Sequence, residues 1–465
     1  MSCMSFVVTI MAYSKDVLEF MKKCNVDVGD TVEFYFAGQR MKGKIMPKGD
    51  FGDPDALVIK LSNGYNVGIK YSRLEKLRKL DDEKREKEKR KETESSSSIS
   101  EETTDDKPII EILHTGGTIA SKVDYETGGV IAKFKPEEIL ELFPELREVA
   151  IIKSRLITNA LSESLRFKHY NKFIDEIANS INEGCDGIIL THGTDTMAYS
   201  SAAISFGIEN LKRPVILVGA QRSSDRPSSD AGFNLLSAAF FIANTDFCDV
   251  AICMHATTND DYCHILPGCK TRKMHSSARY AFKPVNALPI AKVFPKKGEI
   301  EFVSPYKKRK DVENKEMRVM HFDDSLKIGI LKSHPNMLPE EIEVYEGFDG
   351  LVIEGTGLGH LGIEVFDEYS EENEKVYEAL KNVIDSGTVV VMTTQTLYGR
   401  VNMNVYSTGR KLQKIGVLGN LTDILPEVAF IKLAFLLSNY DKKDIPKLWE
   451  KNLRGELSSR SFILH

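Results

Sequence analysis

From residue 109 onward the chain repeats one pattern, a near-continuous apolar run that most often closes on small polar residues. The runs are IIEILHTGGT (109–118), CDGIILTHGT (185–194), RPVILVGAQR (213–222), CDVAICMHAT (248–257), LKIGILKSHP (326–335), FDGLVIEGTG (348–357) and GTVVVMTTQT (387–396). Apolar runs without alternation belong to strands covered on both faces. Helical segments lie between several of them, over Ser164–Glu183, Gly232–Asn244 and Glu371–Ser386. Buried strands alternating with helices predict an α/β fold with a doubly wound, mostly parallel sheet. Upstream the texture differs. DTVEFYF, QRMKGKIMP, ALVIKLS and YNVGIKY are short, partly alternating runs separated by Gly38, GDFGDPDA and Asn63-Gly64. Asn-Gly accepts the positive φ of a tight hairpin, so these runs predict a small β-barrel, with Asp16–Lys23 as a short leading helix.

Between the two textures lies DDEKREKEKRKETESSSSISEETTDDK (81–107), in which Ile99 is the only aliphatic residue. Such a stretch buries too little apolar surface to offset its ordering entropy and reads as a linker. The expected division is a β domain over 1–80, the linker 81–107, an α/β lobe over 108–300, a charged connection 301–325, a second α/β lobe over 326–445 and a tail 446–465. Composition adds little that conflicts. With 42% hydrophobic and 28% charged residues the chain has material for sizeable cores, and a net charge of −6 disfavours a general polyanion binder. The seven cysteines are scattered, which suits reduced thiols and a cytoplasmic location. FVVTIMAY (6–13) is far shorter than the ~20 apolar residues of a membrane span, so no membrane association is expected. Met11 offers a second candidate start.

Ligands of doubly wound sheets bind beyond the carboxyl ends of the strands, which directs attention to three loops. In His114-Thr115-Gly116-Gly117-Thr118 two glycines allow a tight turn that presents the Thr118 hydroxyl. No Gly-Lys-Ser/Thr follows, which excludes a Walker-type phosphate loop. In Thr191-His192-Gly193-Thr194-Asp195 a hydroxyl and a carboxylate adjoin at a strand end. Asp195 there serves either a reaction or the cap of the next helix. Lys270-Thr271-Arg272-Lys273 supplies lysines that burial would turn into bases, or else a solvated basic loop. GLGHLG (357–362) fits a dinucleotide pattern, but no helix opens there, and Cys263, His264, Cys269 and His275 match no usual zinc spacing. No metal site is expected.

HTGGTIAS (114–121) and ILTHGTDTMAYSSAA (189–203) resemble the two signature motifs of the bacterial-type L-asparaginase superfamily, and the resemblance runs from Ile109 to Leu437. It implies hydrolysis of a side-chain amide through an acyl-enzyme on threonine. Thr118 matches the nucleophile, with Tyr125 of DYETGG as its lid-loop partner. Thr194, Asp195 and Lys273 form the second constellation, with Lys270 as the fallback for the lysine. Gly117, Ser162 and Gly193 would contact substrate. The N-terminal unit, described by the resemblance as SH3-like, adds a second likeness. VEFYFAGQRMKGKIMP, RKMHSSAR, IEGTGLGHLG, YGRVNMNVYSTGR and LPEVAFIKL are similar to the D-subunit family of archaeal glutamyl-tRNA(Gln) amidotransferases. That family implies ammonia release from glutamine or asparagine, feeding a partner E subunit that uses ATP to amidate Glu-tRNA(Gln). It also implies tRNA binding mainly through the partner, a homodimer within an α2β2 complex, and no cofactor bound by this chain. Arg400 and Arg410 would bind a substrate carboxylate or the partner, or serve the surface. A free-standing asparaginase or glutaminase with an accessory β domain, and a catalytically silent RNA- or protein-binding module, are the alternatives.

Overall fold

The computed structural model describes residues 13–46, 48, 53–61, 66–80, 107–116, 121–123, 130–132, 143, 145–222 and 229–461. The expected linker up to Asp106 and the Asn63-Gly64 turn lie outside them. The chain forms two compact units, the first made of residues 13–80 together with 121–123, 130–132, 222 and 229, and the second holding both α/β lobes.

In the first unit, α1 (Lys15–Lys23) starts where Ser14 Oγ accepts the N–H of Val17, and it places Val17 and Met21 in the core. Five strands follow: β1 (Thr31–Phe36), β2 (Gln39–Ile45), β3 (Ala56–Leu61), β4 (Asn66–Lys70) and β5 (Lys76–Lys79). They form one antiparallel sheet in the order β4-β3-β2-β1-β5. Ala37 and Gly38 between β1 and β2 both take positive φ, the conformation a two-residue hairpin needs. Tyr13, Val32, Phe34, Ile45, Leu57 and Ile59 close a core of their own. A single 3-10 turn (Tyr71–Arg73) separates β4 from β5, which stand at the two ends of the strand order, and the unit is the small β domain that the sequence pattern suggests.

The second unit contains the repeated α/β pattern. Its main sheet is assembled from β6 (Ile109–His114), β7 (Ile151–Leu156), β8 (Gly187–Thr191), β9 (Val215–Val218), β10 (Val250–His255) and β11 (Cys263–Pro267). A side hairpin of β12 (Thr271–Lys273) and β13 (Phe282–Pro284) comes next, then β14 (Ala291–Phe294) and β15 (Glu299–Phe302) complete the sheet. Its order is β15-β14-β11-β10-β9-β8-β6-β7. From β7 to β10 the strands are parallel, whereas β11, β14 and β15 extend the sheet antiparallel. The second lobe carries a parallel sheet of β16 (Ile328–Lys332), β17 (Gly350–Gly355) and β18 (Val389–Thr394).

The helices cover these sheets as their residues dictate. α2 (Phe167–Asn182) buries Tyr170, Phe173, Ile174, Ile177 and Ala178, the spacing of one helical face. α3 (Met197–Gly207) is buried at almost every position, and α4 (Ala231–Ala243) at eight of its 13. α5 (Glu372–Asp385) and α6 (Ser407–Lys414) are amphipathic and flank the second sheet's own core. α7 (Pro426–Asn439) belongs to both lobes: Val428, Ile431, Leu433 and Phe435 share one core with Leu190, Phe206, Val352 and Val391. Among the described residues no helix is long and apolar enough to cross a membrane.

Candidate active site

The carboxyl ends of β6 and β8 lie side by side, with His114 opposite Thr191. The loops that leave them are knitted together through backbone groups. Thr115 donates its N–H (3.2 Å) and its hydroxyl (2.8 Å) to the Thr191 carbonyl, and the Ala160 N–H donates to the Thr115 carbonyl at 3.1 Å. Thr196 sends its hydroxyl to the Ser162 carbonyl at 2.8 Å. Gly193 is required there, because a Cβ on it would stand 2.8 Å from Ser162 Cβ and 2.9 Å from its Oγ. Gly219, beyond β9, is needed equally, since a Cβ would meet Thr194 Cγ2 at 2.8 Å. Ser162 and Gly193 thus lie directly against each other.

Thr194 and Asp195 follow at the same rim, and β12 delivers Lys273 to them. The Lys273 ammonium donates to Thr194 Oγ1 at 2.8 Å and to Asp195 Oδ1 at 2.7 Å. The lysine side chain is 14% exposed and the aspartate side chain 67%, so the cation lies beneath a carboxylate that faces outward. Thr194 itself is buried. α3 is preceded by Thr196 at its N-cap with no side-chain cap, so Asp195 is not spent on capping the helix. An ammonium bridging a hydroxyl and a carboxylate can pass a proton between an attacking oxygen and a leaving group.

The two histidines of these loops do a different job. His192 donates from Nδ1 to the Gly193 carbonyl at 2.6 Å, and Ser200 Oγ lies 2.8 Å from its Nε2. His114 bridges Thr191 Oγ1 at 2.9 Å and Ser154 Oγ at 2.8 Å. Burial pushes both imidazoles down to about 4, which leaves them neutral scaffolding near pH 7.

Lys270 departs from its fallback role. It is buried, pairs with Asp423 Oδ2 at 2.8 Å and donates to the Asp423 carbonyl at 3.1 Å. Burial pushes its ammonium down while Asp423 pulls it back up. Arg400 donates to Ser461 Oγ and to the carbonyls of Leu421 and Ser458, and Arg410 donates to the Asn404 carbonyl. Both thus serve the local chain path. At GLGHLG, Gly357 and Gly359 take positive φ, and Thr356 pairs with His360 in a tight loop without a helix. Among the described residues no cluster of three or more His, Cys, Asp or Glu is placed to hold a metal. Gly117, Thr118 and Tyr125 lie outside the described residues. Sequence reasoning had no signal for Asp423 or Glu427 (which meets Arg272), because their partners are more than a hundred residues away.

Three family models match the chain: the GatD N-terminal domain over residues 26–80, the asparaginase N-terminal domain over 109–308, and the glutaminase/asparaginase C-terminal domain over 327–448. The D subunit of the glutamyl-tRNA(Gln) amidotransferase from Pyrococcus furiosus is 41% identical over 452 residues, covering 95% of this chain and 97% of the relative. The corresponding D subunit from Methanopyrus kandleri is 40% identical over 451 residues, covering 94% and 93%. Among solved structures, the thermostable L-asparaginase from Thermococcus kodakarensis is similar with a TM-score of 0.66 and 31% identity, covering 76% of this chain and 100% of that one. L-asparaginase I from Vibrio cholerae has a TM-score of 0.65 and 27% identity with the same coverage. The chain joins a GatD-type N-terminal domain to an asparaginase-type amidase, and it belongs to the D-subunit family of glutamyl-tRNA(Gln) amidotransferases, whose asparaginase-type domains make it a glutaminase/asparaginase-type component.

Proposed function

We propose that the α/β unit releases ammonia from glutamine or asparagine by an acyl-enzyme route on threonine. The ammonia would serve a partner E subunit that uses ATP to convert Glu-tRNA(Gln) to Gln-tRNA(Gln). The observation that supports this reading is the Thr194–Lys273–Asp195 arrangement at the carboxyl edge of a parallel sheet. The Thr118 hydroxyl attacks the side-chain amide carbon and loses its proton, with Tyr125 as its partner. The C–N bond breaks, and the departing NH2 takes up a proton and leaves as ammonia. Water then attacks the ester, Thr118 is regenerated, and a carboxylate product departs. The Lys273 ammonium, held by Thr194 and Asp195, hands a proton to Asp195, and the amine so formed takes the proton that water gives up. In this reading Gly117, Ser162 and Gly193 line the substrate, the chain needs no cofactor of its own, and tRNA is held mainly by the partner. The assembly would be an α2β2 heterotetramer in the cytoplasm, with this chain as its homodimeric half.

The test is ammonia release from both amides by the full chain, alone and with partner subunit, ATP and Glu-tRNA(Gln). Release that rises in the complete mixture, and falls by about 10²–10⁴-fold in Lys273→Met or Thr118→Val, is expected. Full release from the chain alone, indifferent to the additions, would instead make it a free-standing amidase.

A further inference from the structure

We infer that Asp423 and Glu427 of the second lobe are positioning residues for Lys273. This rests on the reading of Lys273 as the proton carrier. Along a strand successive side chains point to opposite faces, so Lys273 and Arg272 of β12 face opposite ways, and Lys270 lies in the turn just before the strand. Lys273 reaches Thr194 and Asp195 in its own lobe. The same segment is held by the second lobe at two points. Lys270 meets Asp423 at 2.8 Å, both of them buried, and Arg272 Nε meets Glu427 Oε1 at 3.0 Å. Asp423 is itself fixed, accepting the Ser458 N–H on Oδ1 at 2.9 Å.

Backbone groups and short side chains also support this segment. Val285 donates its N–H to the Lys270 carbonyl at 2.7 Å, Thr271 donates its hydroxyl to the Pro267 carbonyl at 2.6 Å, and Ser201 donates its hydroxyl to the Gly268 carbonyl at 2.7 Å. Asn286, just beyond the β13 strand that pairs with β12, donates to the Gly399 carbonyl at 3.0 Å, and Phe282 and Val285 share a core with Val428 of α7; the two ion pairs are the charged part of this seam and the part that reaches β12 itself. Glu427 lies in the first turn of α7, and α7 packs against α3, the helix that begins just after Thr194 and Asp195. One element of the second lobe thus touches the supports of both ends of the Lys273–Thr194 contact. The charged and titratable groups that act on the Arg272 end are Glu427, Glu354 and Tyr199. A displacement of about 1 Å at a reacting group can lower a rate by about 10²-fold, so a clamp of this kind affects turnover rather than substrate binding.

The measurement is kcat and KM for ammonia release in the complete mixture of full chain, partner, ATP and Glu-tRNA(Gln). It compares Arg272→Met, Glu427→Gln, Arg272→Lys, the exchanged pair Arg272→Glu with Glu427→Arg, and Lys273→Met as reference. Arg272 is the residue to change first, because its side chain is 30% exposed and that of its partner Glu427 13%, whereas Lys270 and Asp423 are both almost wholly buried. The single neutral variants should lose about 10- to 100-fold in kcat with KM little changed. Arg272→Lys and the exchanged pair should recover most of it, a rescue that a general loss of packing would not show. The inference is overturned if Lys273→Met loses activity while Arg272→Met and Glu427→Gln keep it, or if kcat falls in the singles and neither Arg272→Lys nor the exchanged pair restores it. If Lys273→Met itself keeps full activity, the reading of the lysine fails first, and the clamp with it.

Discussion

His192 and His114 sit at the rim that carries Thr194, yet both are built to stay neutral. Each spends its ring nitrogens on neighbouring hydroxyl or carbonyl groups, and burial holds each near 4 against an ordinary 6.5. In the unfolded chain the same rings take up protons below about 6.5. The unfolded state therefore binds more protons between about 6.5 and 4, and stability falls as pH drops through that window. It is fully present above 6.5. The shift from 6.5 to about 4 is worth about 3 kcal/mol per ring at the acid end of the window. Denaturant melts at pH 7.0 and 4.5 should show that loss, and His192→Gln should flatten it. An NMR titration in which the His192 ring protonates near 6.5 in the folded protein would contradict the assignment.

At the scale of elements, α7 is tied to the C-terminal segment through one buried side chain. Lys432 is fully buried, pairs with Glu456 at 2.7 Å and donates to the carbonyls of Trp449 and Lys451. Glu456 in turn accepts the N–H groups of Leu453 and Arg454, so the helix and the C-terminal segment are closed onto each other. Lys432→Met leaves a buried carboxylate without its cation and should cost about 3–5 kcal/mol, read as a fall in the unfolding midpoint of the α/β unit. A midpoint within ordinary scatter of the parent would sink this account. Elements like α2 and β8 were legible in the chain because helical spacing and unbroken apolar runs each have one structural solution. β14 and β15 were not, since AKVF and EIEF are short, half-exposed and mixed with charge. The site shows the same divide. Thr194, Asp195 and Ser162 come from local motifs, whereas the choice between Lys270 and Lys273 depends on Asp423, a residue 153 positions along the chain from Lys270. No window of sequence contains that information. Nor does it say that Asp195 leaves the helix cap to Thr196, because the side chain suits both uses.

On the scale of the whole molecule, the N-terminal unit has a core of its own and the two α/β lobes share one. The lobes should therefore melt together, and the N-terminal unit separately. Calorimetry of the full chain should resolve a small transition and a large one, and a chain starting at residue 107 should lose only the small one. A single transition that disappears with residues 1–106 would show that the α/β unit cannot stand without them.

The ion pairs from Lys270 and Arg272 to Asp423 and Glu427 also bear on how such a chain can change by descent. A charge altered on one lobe strands its counterpart on the other, so drift at these four positions has to arrive in matched steps. Hybrids that join the first lobe of one relative to the second lobe of another inherit Lys270 and Arg272 from one parent and their counter-charges from the other.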